Sequence, residues 1–568
     1  MRLEEYWGVG PKTRALLVEN LGAEAAIEAI ETGDVRTLVN AGLARGRATR
    51  ILRHAHGGGA MDVLATRDAR QVYKQLLDIV SGYAVTENAA DRIRILTPLS
   101  DREAMEGRLA EVREARESWA SLTDDERERV LGAFDTYDDT AYGERAAVRA
   151  ALSIREIGLE TGVFEPIADL DRDTLDEALT ALSGLAGGGG SVEDGADERL
   201  DTLRRQLGAV EDLRADTETV LEAVQSTARD PGQLRESLAQ EIASSADLGL
   251  SEVEEAMPRE ATDARAFVGE TLRGIADRLR EQVDEREAQV ATELESTLER
   301  ASEEIETAVS AVDDLSLSVS LARFAEAFEL TEPTFRETEV VGVVGARNLF
   351  LEDAGETVQP VTYAVGNHSL SVPGPRVPPQ GDRVVVLTGA NSGGKTTLLE
   401  TLCQVQLLAQ MGLPVPADAA EMRTVDSIVF HRRHASFNAG VLESTLRSVV
   451  PPLTGTGRTL MLVDEFEAIT EPGSAADLLH GLVRLTVDRD ALGVFVTHLA
   501  DDLEPLPEEA RTDGIFAEGL TTDLELEVDY QPRFETIGRS TPEFIVSRLV
   551  AGATDRGERA GYETLAEA

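Results

Sequence analysis

At 568 residues the chain is too long for one hydrophobic core, so two to four domains are expected. It carries 105 acidic against 55 basic residues, a net charge of −50, and its only lysines are Lys12, Lys74 and Lys395. A single cysteine, Cys403, excludes an intrachain disulfide and a cysteine-built metal cage. No run approaches the ~18–20 apolar residues that a membrane helix needs, and Met1–Leu17 lacks the apolar stretch of a signal peptide. The expectation is a cytoplasmic protein with no membrane partner. So dense an acidic surface repels itself except at high ionic strength, where the Debye length falls to about 3 Å at 1 M salt, and it points to a halophilic, archaeal source.

Residues 1–56 form a first module. Eight bases and seven acids make it about +1 inside a strongly acidic chain, and Gly57-Gly58-Gly59 reads as a linker after it. Trp7-Gly-Val-Gly-Pro-Lys-Thr13 matches the turn of a helix–hairpin–helix, with Ala41-Gly-Leu-Ala-Arg-Gly-Arg47 as a degenerate second copy. Glycines in such a turn let backbone N–H groups approach phosphates without reading bases. Gly8, Gly10, Lys12, Thr13, Arg45 and Arg47 are therefore the candidate contacts to double-stranded DNA. A protein-docking role for the module is the alternative.

Residues 60–335 read as helical. Leu200, Leu203, Leu207 and Val210 repeat at 3-4-3 spacing, and Val283, Val290, Leu294, Ala301, Ile305 and Val312 fall at heptad-like positions. Breaks at Gly187–Gly190, Pro231-Gly232 and Met257-Pro258 suggest coiled-coil arms that run out and back, with a compact bundle as the alternative. Residues 336–568 switch to short apolar runs alternating with helices. Arg383–Leu387, Ser427–Phe430, Thr459–Val463 and Gly493–Val496 read as buried strands of an α/β parallel sheet.

Gly389-Ala390-Asn391-Ser392-Gly393-Gly394-Lys395-Thr396 is a full Walker A sequence, placed after a strand and before a helix starting at Thr397. Its backbone amides and the helix N-terminus can cradle the phosphates of ATP. Lys395 would reach the β and γ phosphates, and the Thr396 hydroxyl would bind Mg²⁺. The strand Thr459–Val463 ends in Asp464-Glu465, an acid for Mg²⁺ followed by a general base for the attacking water. Gly493–Val496 leads to His498, suited to sensing the γ phosphate. Tyr363 is the aromatic candidate for stacking on adenine.

These elements resemble the MutS family of DNA-repair ATPases. Gly412-Leu-Pro-Val-Pro-Ala417 is similar to that family's segment after the P-loop helix, and Gly345-Ala-Arg-Asn-Leu-Phe-Leu351 to the opening of its ATPase domain. Leu96-Thr-Pro-Leu-Ser-Asp101 resembles a motif of its core domain, and Tyr530–Gly538 with Ser540 the region that closes its dimer. No counterpart of the family's mismatch-reading domain precedes residue 66. The loop Phe466-Glu-Ala-Ile-Thr-Glu-Pro472 has Glu467 and Ile469 where the family has glycines, and Arg433-His-Ala-Ser-Phe437 is similar to the loop that reaches the partner's nucleotide.

The resemblance implies a multidomain protein: an all-α N-terminal module, a helical core with arms, and a C-terminal α/β P-loop ATPase of the ABC type. It further implies a homodimer in which ATP binding and hydrolysis switch the grip on branched, distorted or mismatched DNA during repair or recombination control. Two alternatives remain, a chromosome-organising coiled-coil ATPase and an ATP-binding scaffold that does not hydrolyse.

Overall fold

The computed structural model describes residues 3, 6–57, 60–139, 143–185, 191–227, 231–374, 376–389, 394–433, 439–469, 472–520, 526–538, 546, 549–550, 552–553 and 555–566. Contacts divide the chain into two units: Met1–Arg127 with Thr161–Val163 and Asp313–Ala568, and Glu128–Glu160 with Phe164–Val312. The stretch 60–335 is thus shared between them.

In the first unit, α1 (Pro11–Asn20), α2 (Ala23–Thr32), α3 (Val35–Asn40) and α4 (Arg45–Gly57) close around a core of their own that includes Leu17, Ile30, Leu38 and Ile51. Asp34 caps α3 by accepting from the N–H groups of Arg36 and Thr37. Three further helices follow, α5 (Arg67–Gly82), α6 (Glu87–Arg94) and α7 (Arg102–Ser121). Thr66, Thr86 and Asp101 cap them in turn, so the acid of the Leu96–Asp101 motif is a helix N-cap. The four-helix module is fastened to this region: Arg53 donates to the Arg94 carbonyl at 2.7 Å, and Ile95 packs against the module's core.

The second unit is helical. Its elements are α8 (Asp124–Asp139), α9 (Glu144–Arg155), α10 (Glu165–Ala168), α11 (Arg172–Gly184), α12 (Glu198–Ala215), α13 (Thr217–Thr227), α14 (Pro231–Ala246), α15 (Leu250–Ala256) and most of α16 (Ala264–Ala327). Leu200, Leu203 and Val210 of α12 and Val283 and Val290 of α16 are buried in one cluster, with Leu207 and Leu294 packed at its edge. Ion pairs fix the direction. Asp197 meets Arg286, and Glu211 meets Arg280, so α12 and α16 run antiparallel. Val220 of α13, Leu238 of α14 and Val253 of α15 join the same cluster.

The rest of the first unit is α/β. Its four-stranded mixed sheet, in the order β1-β5-β2-β3, contains β1 (Thr334–Phe335), β2 (Val340–Ala346), β3 (Val361–Gly366) and β5 (Ala419–Met422). A six-stranded sheet has the order β10-β9-β4-β8-β7-β6, with β4 (Val384–Gly389), β6 (Ser427–His431), β7 (Thr459–Asp464), β8 (Leu492–Val496), β9 (Ala510–Leu520) and β10 (Leu526–Arg533). All its pairings are parallel except β9 with β10. Between strands lie α17 (Leu349–Asp353), α18 (Lys395–Gln410), α19 (Ala439–Thr454) and α20 (Pro472–Asp488), and α21 (Arg556–Ala566) follows the last strand. The central strands β4, β7 and β8 are fully buried, which accounts for their continuous apolar runs rather than alternation. Helix α18 is buried almost all round, and burial raises the Cys403 thiol pKa, leaving that cysteine inert packing.

Candidate nucleotide-binding and catalytic site

The site lies at the C-terminal ends of the parallel strands, where open α/β sheets bind ligands. Strand β4 sits between β8 and β9, and register places Asp464 of β7 beside Val496, which in turn faces Leu387 of β4. Three sequence-distant segments therefore end at one level. Gly389 turns the chain out of β4 with φ +133°, and a Cβ there would lie 2.2 Å from the Ile515 carbonyl oxygen. Gly394 has φ +72° as the residue before α18, and a Cβ there would meet the Tyr530 ring at 2.7 Å. Both positions admit only glycine. Ala390, Asn391, Ser392 and Gly393 lie outside the described residues.

Lys395 is buried and donates to the Gly389 carbonyl at 2.8 Å, so the ammonium folds back over its own loop. Burial lowers its pKa, against the opposing pull of Glu465 and Asp464. The Thr396 hydroxyl donates to Asp464 Oδ2 at 2.6 Å. Asp464 is buried, and its Oδ1 has no hydrogen-bond partner. Burial first and the adjacent Glu465 second raise its pKa, while the Thr396 bond and Lys395 lower it. An orphaned buried carboxylate oxygen beside a hydroxyl is an all-oxygen donor set of the kind Mg²⁺ prefers, so the residues present fit that ion.

Glu465 is held on three sides. Its N–H donates to the Val496 carbonyl at 2.9 Å, His498 Nε2 contacts Oε1 at 3.0 Å, and Arg433 pairs with Oε2 at 2.7 Å. Its φ is +41°, a left-handed conformation that costs a side-chain-bearing residue about 1–2 kcal/mol. The His498 hydrogen bond is the main cause of a lowered Glu465 pKa, with Arg433 and Lys395 adding to it. The carboxylate is thus kept ionised and aimed.

Glu467, a departure at the sequence level, has a function here: it accepts from the Thr497 hydroxyl at 2.9 Å and from the His498 N–H at 2.7 Å, fixing the turn that presents His498. Arg433 leaves the end of β6, which is pinned by Thr66 to the Phe430 carbonyl and by the Arg432 N–H to Asp68. Ala435, Ser436 and Phe437, with Thr470 and Ser540, lie outside the described residues.

A cavity of about 430 Å³ opens beside this cluster, lined by Gly394, Lys395, Thr396, Thr397, Glu465, Asn348, Gln359 and Tyr530 among others. It falls in the range of about 300–1,000 Å³ that small-molecule sites take. Asn348, buried, caps α17 and donates to the Thr401 hydroxyl of α18 at 3.0 Å, and this explains why the Gly345–Leu351 segment opens the site. Tyr363 requires correction. It is fully buried, donates its hydroxyl to Asp513 at 3.0 Å, and does not line the cavity. The aromatic ring at the cavity is Tyr530, brought in by β10.

The N-terminal candidates are spread over two settings. Gly8 has φ +83°, Gly10 precedes α1 in extended conformation with Pro11 as its first residue, and Lys12 is exposed. Arg47 reaches the Gly8 carbonyl at 3.4 Å. Thr13 is buried within the module, whereas Arg45 pairs with buried Asp91 of α6 at 3.1 Å and ties the module to that helix.

Residues 385–505 match the profile of MutS domain V. The chain is 46% identical over 212 residues to the DNA-binding protein MutS2 of Pyrococcus furiosus, covering 37% of this chain and 36% of that protein. It is 25% identical over 473 residues to the endonuclease MutS2 of Gemmatimonas aurantiaca, covering 75% and 54%, and 26% identical over 396 residues to the DNA mismatch repair protein MutS of Rhizobium meliloti, covering 62% and 40%. The chain therefore spans between about a third and just over half of these relatives' lengths. Together these likenesses support the MutS family.

Proposed function

With that family as premise, we propose that the chain is an ATPase whose nucleotide state sets its grip on branched or distorted DNA. The observation that carries the reading is that Lys395, Thr396 and Glu465 line one cavity while Asp464 bonds to Thr396 and His498 to Glu465, bringing three separate strand ends together. ATP phosphates would be held by Lys395 and the N-terminus of α18, beyond the Gly389 turn. Mg²⁺, held by Thr396 and Asp464, would offset the charge of those phosphates. Glu465 accepts a proton from the attacking water, and its lowered pKa keeps it in the basic form for that task. Each carboxylate oxygen has one partner in this structure, His498 on Oε1 and Arg433 on Oε2, which leaves acceptor sites for the attacking water.

The module of residues 1–56 supplies DNA contacts, the antiparallel α12–α16 arm transmits the nucleotide state, and two copies of the chain pair through the ATPase region. A cytoplasmic, high-salt setting accords with the charge balance. No helix among the described residues is long and apolar enough to cross a membrane. The test is DNA retention by the full chain at molar salt, without nucleotide and with ATP in the Glu465→Ala variant, which should trap the bound state. A severalfold difference in affinity for a branched probe is expected; identical affinity in the two states overturns the coupling.

A further inference from the structure

Trp7 is 54% exposed, the most exposed large apolar side chain among the described residues. The chain's other tryptophan, Trp119, is 4% exposed and lies in a core. Trp7 is nevertheless ordered by a partner: its ring stacks on His54 with centroids 3.8 Å apart and planes 23° from parallel. One indole face is covered and the ring remains largely open to solvent, an arrangement that folding alone does not favour.

The surroundings indicate what covers that face. His54 lies on α4, which carries four arginines and no acid between Arg45 and Gly57. Arg47, Arg50 and His54 fall at i, i+3 and i+7 and so share one side of the helix. Arg47 reaches back to the carbonyl of Gly8, the residue after Trp7, while Arg45 and Arg53 turn to Asp91 and the Arg94 carbonyl. Arg47 is thus held next to Trp7 through Gly8, and Arg50, also exposed, lies on the same side of α4 as His54, in a chain of net charge −50.

We propose that the Trp7–His54 pair is a stacking platform for an unpaired nucleobase, with Arg47 and Arg50 holding the flanking phosphates. Any base presents a π face to such a ring, so recognition depends on the base being out of the duplex and not on its identity. The pair gives the module a preference for splayed strands that glycine hairpins, which touch only the backbone, lack. This rests on the DNA-binding reading of residues 1–56 and names the feature of branched DNA that they detect.

The experiment compares the full-length protein on a forked duplex with unpaired arms and on a blunt duplex of equal length. Tryptophan emission should be quenched by the fork in the wild type and not in Trp7→Phe. Trp7→Ala should weaken fork binding roughly tenfold while blunt-duplex binding changes less than twofold. Trp7→Phe, which keeps a smaller ring, should fall between. Equal loss on both probes, or no loss on the fork, overturns the platform and leaves the backbone contacts standing. Failure of the wild type to bind either probe overturns the platform and the DNA-binding reading together.

Discussion

The nucleotide cleft and the N-terminal module use charged side chains in opposite ways. In the cleft, Lys395, Asp464 and Glu465 are all buried and each is held by a named partner, at distances of 2.6–3.0 Å. In the module, Lys12, Arg47 and Arg50 stand in solvent, and half-buried Arg53 serves attachment. Chemistry on a phosphate needs preorganised groups in a dry setting, whereas sliding contact with a polyanion needs exposed charge that salt can screen. High salt sharpens the contrast, since screening weakens the second kind of contact far more than the first.

Mutations should separate the two regions, and the largest effects belong to the cleft. Glu465→Ala is expected to lower turnover by roughly 10²–10⁴-fold while leaving nucleotide affinity, and DNA binding in the absence of nucleotide, close to wild type, as read by phosphate release and calorimetry. Lys395→Ala should abolish measurable ATP binding; retained affinity would contradict its role. Gly389→Ala should destabilise the fold by about 2–4 kcal/mol, because the new methyl meets the Ile515 carbonyl, and thermal unfolding would show it. Glu467→Ala frees the turn of His498 and should reduce turnover by roughly ten- to a hundredfold with little change in ATP affinity. The smallest effect belongs to the module. Lys12→Ala should weaken binding about equally for all DNA probes and lower the salt slope by about one, with ATP turnover untouched. In the absence of nucleotide, a cross-effect of comparable size would show that the two regions are not separate.

Legibility in the sequence follows the same division. The Walker A loop and the Asp464-Glu465 pair are contiguous, and their strand context is written in apolar runs, so the predicted strands over 383–387, 427–430, 459–463 and 493–496 coincide with β4, β6, β7 and β8. The second sheet and the β9–β10 pair carry no comparable local signal. Their partners are far apart in the chain, and β1 spans only two residues. Tyr363 looked available for adenine because nothing local reveals Asp513, 150 residues away, which its hydroxyl meets. Tyr530 reaches the cavity by a route no spacing encodes. Glu467 read as a lost glycine until the fold placed the His498 amide against it. Arg45 matched the hairpin pattern, yet Asp91 claims it across 46 residues.

The most direct measurement is phosphate release from ATP-loaded protein at molar salt with Mg²⁺, wild type beside Glu465→Ala, with bound nucleotide quantified on the same samples. Both should retain ATP, and only the wild type should convert it to ADP and phosphate. Equal, background-level release from both would contradict the assignment of Glu465 as the base and, with it, the reading of the cleft as a hydrolytic site.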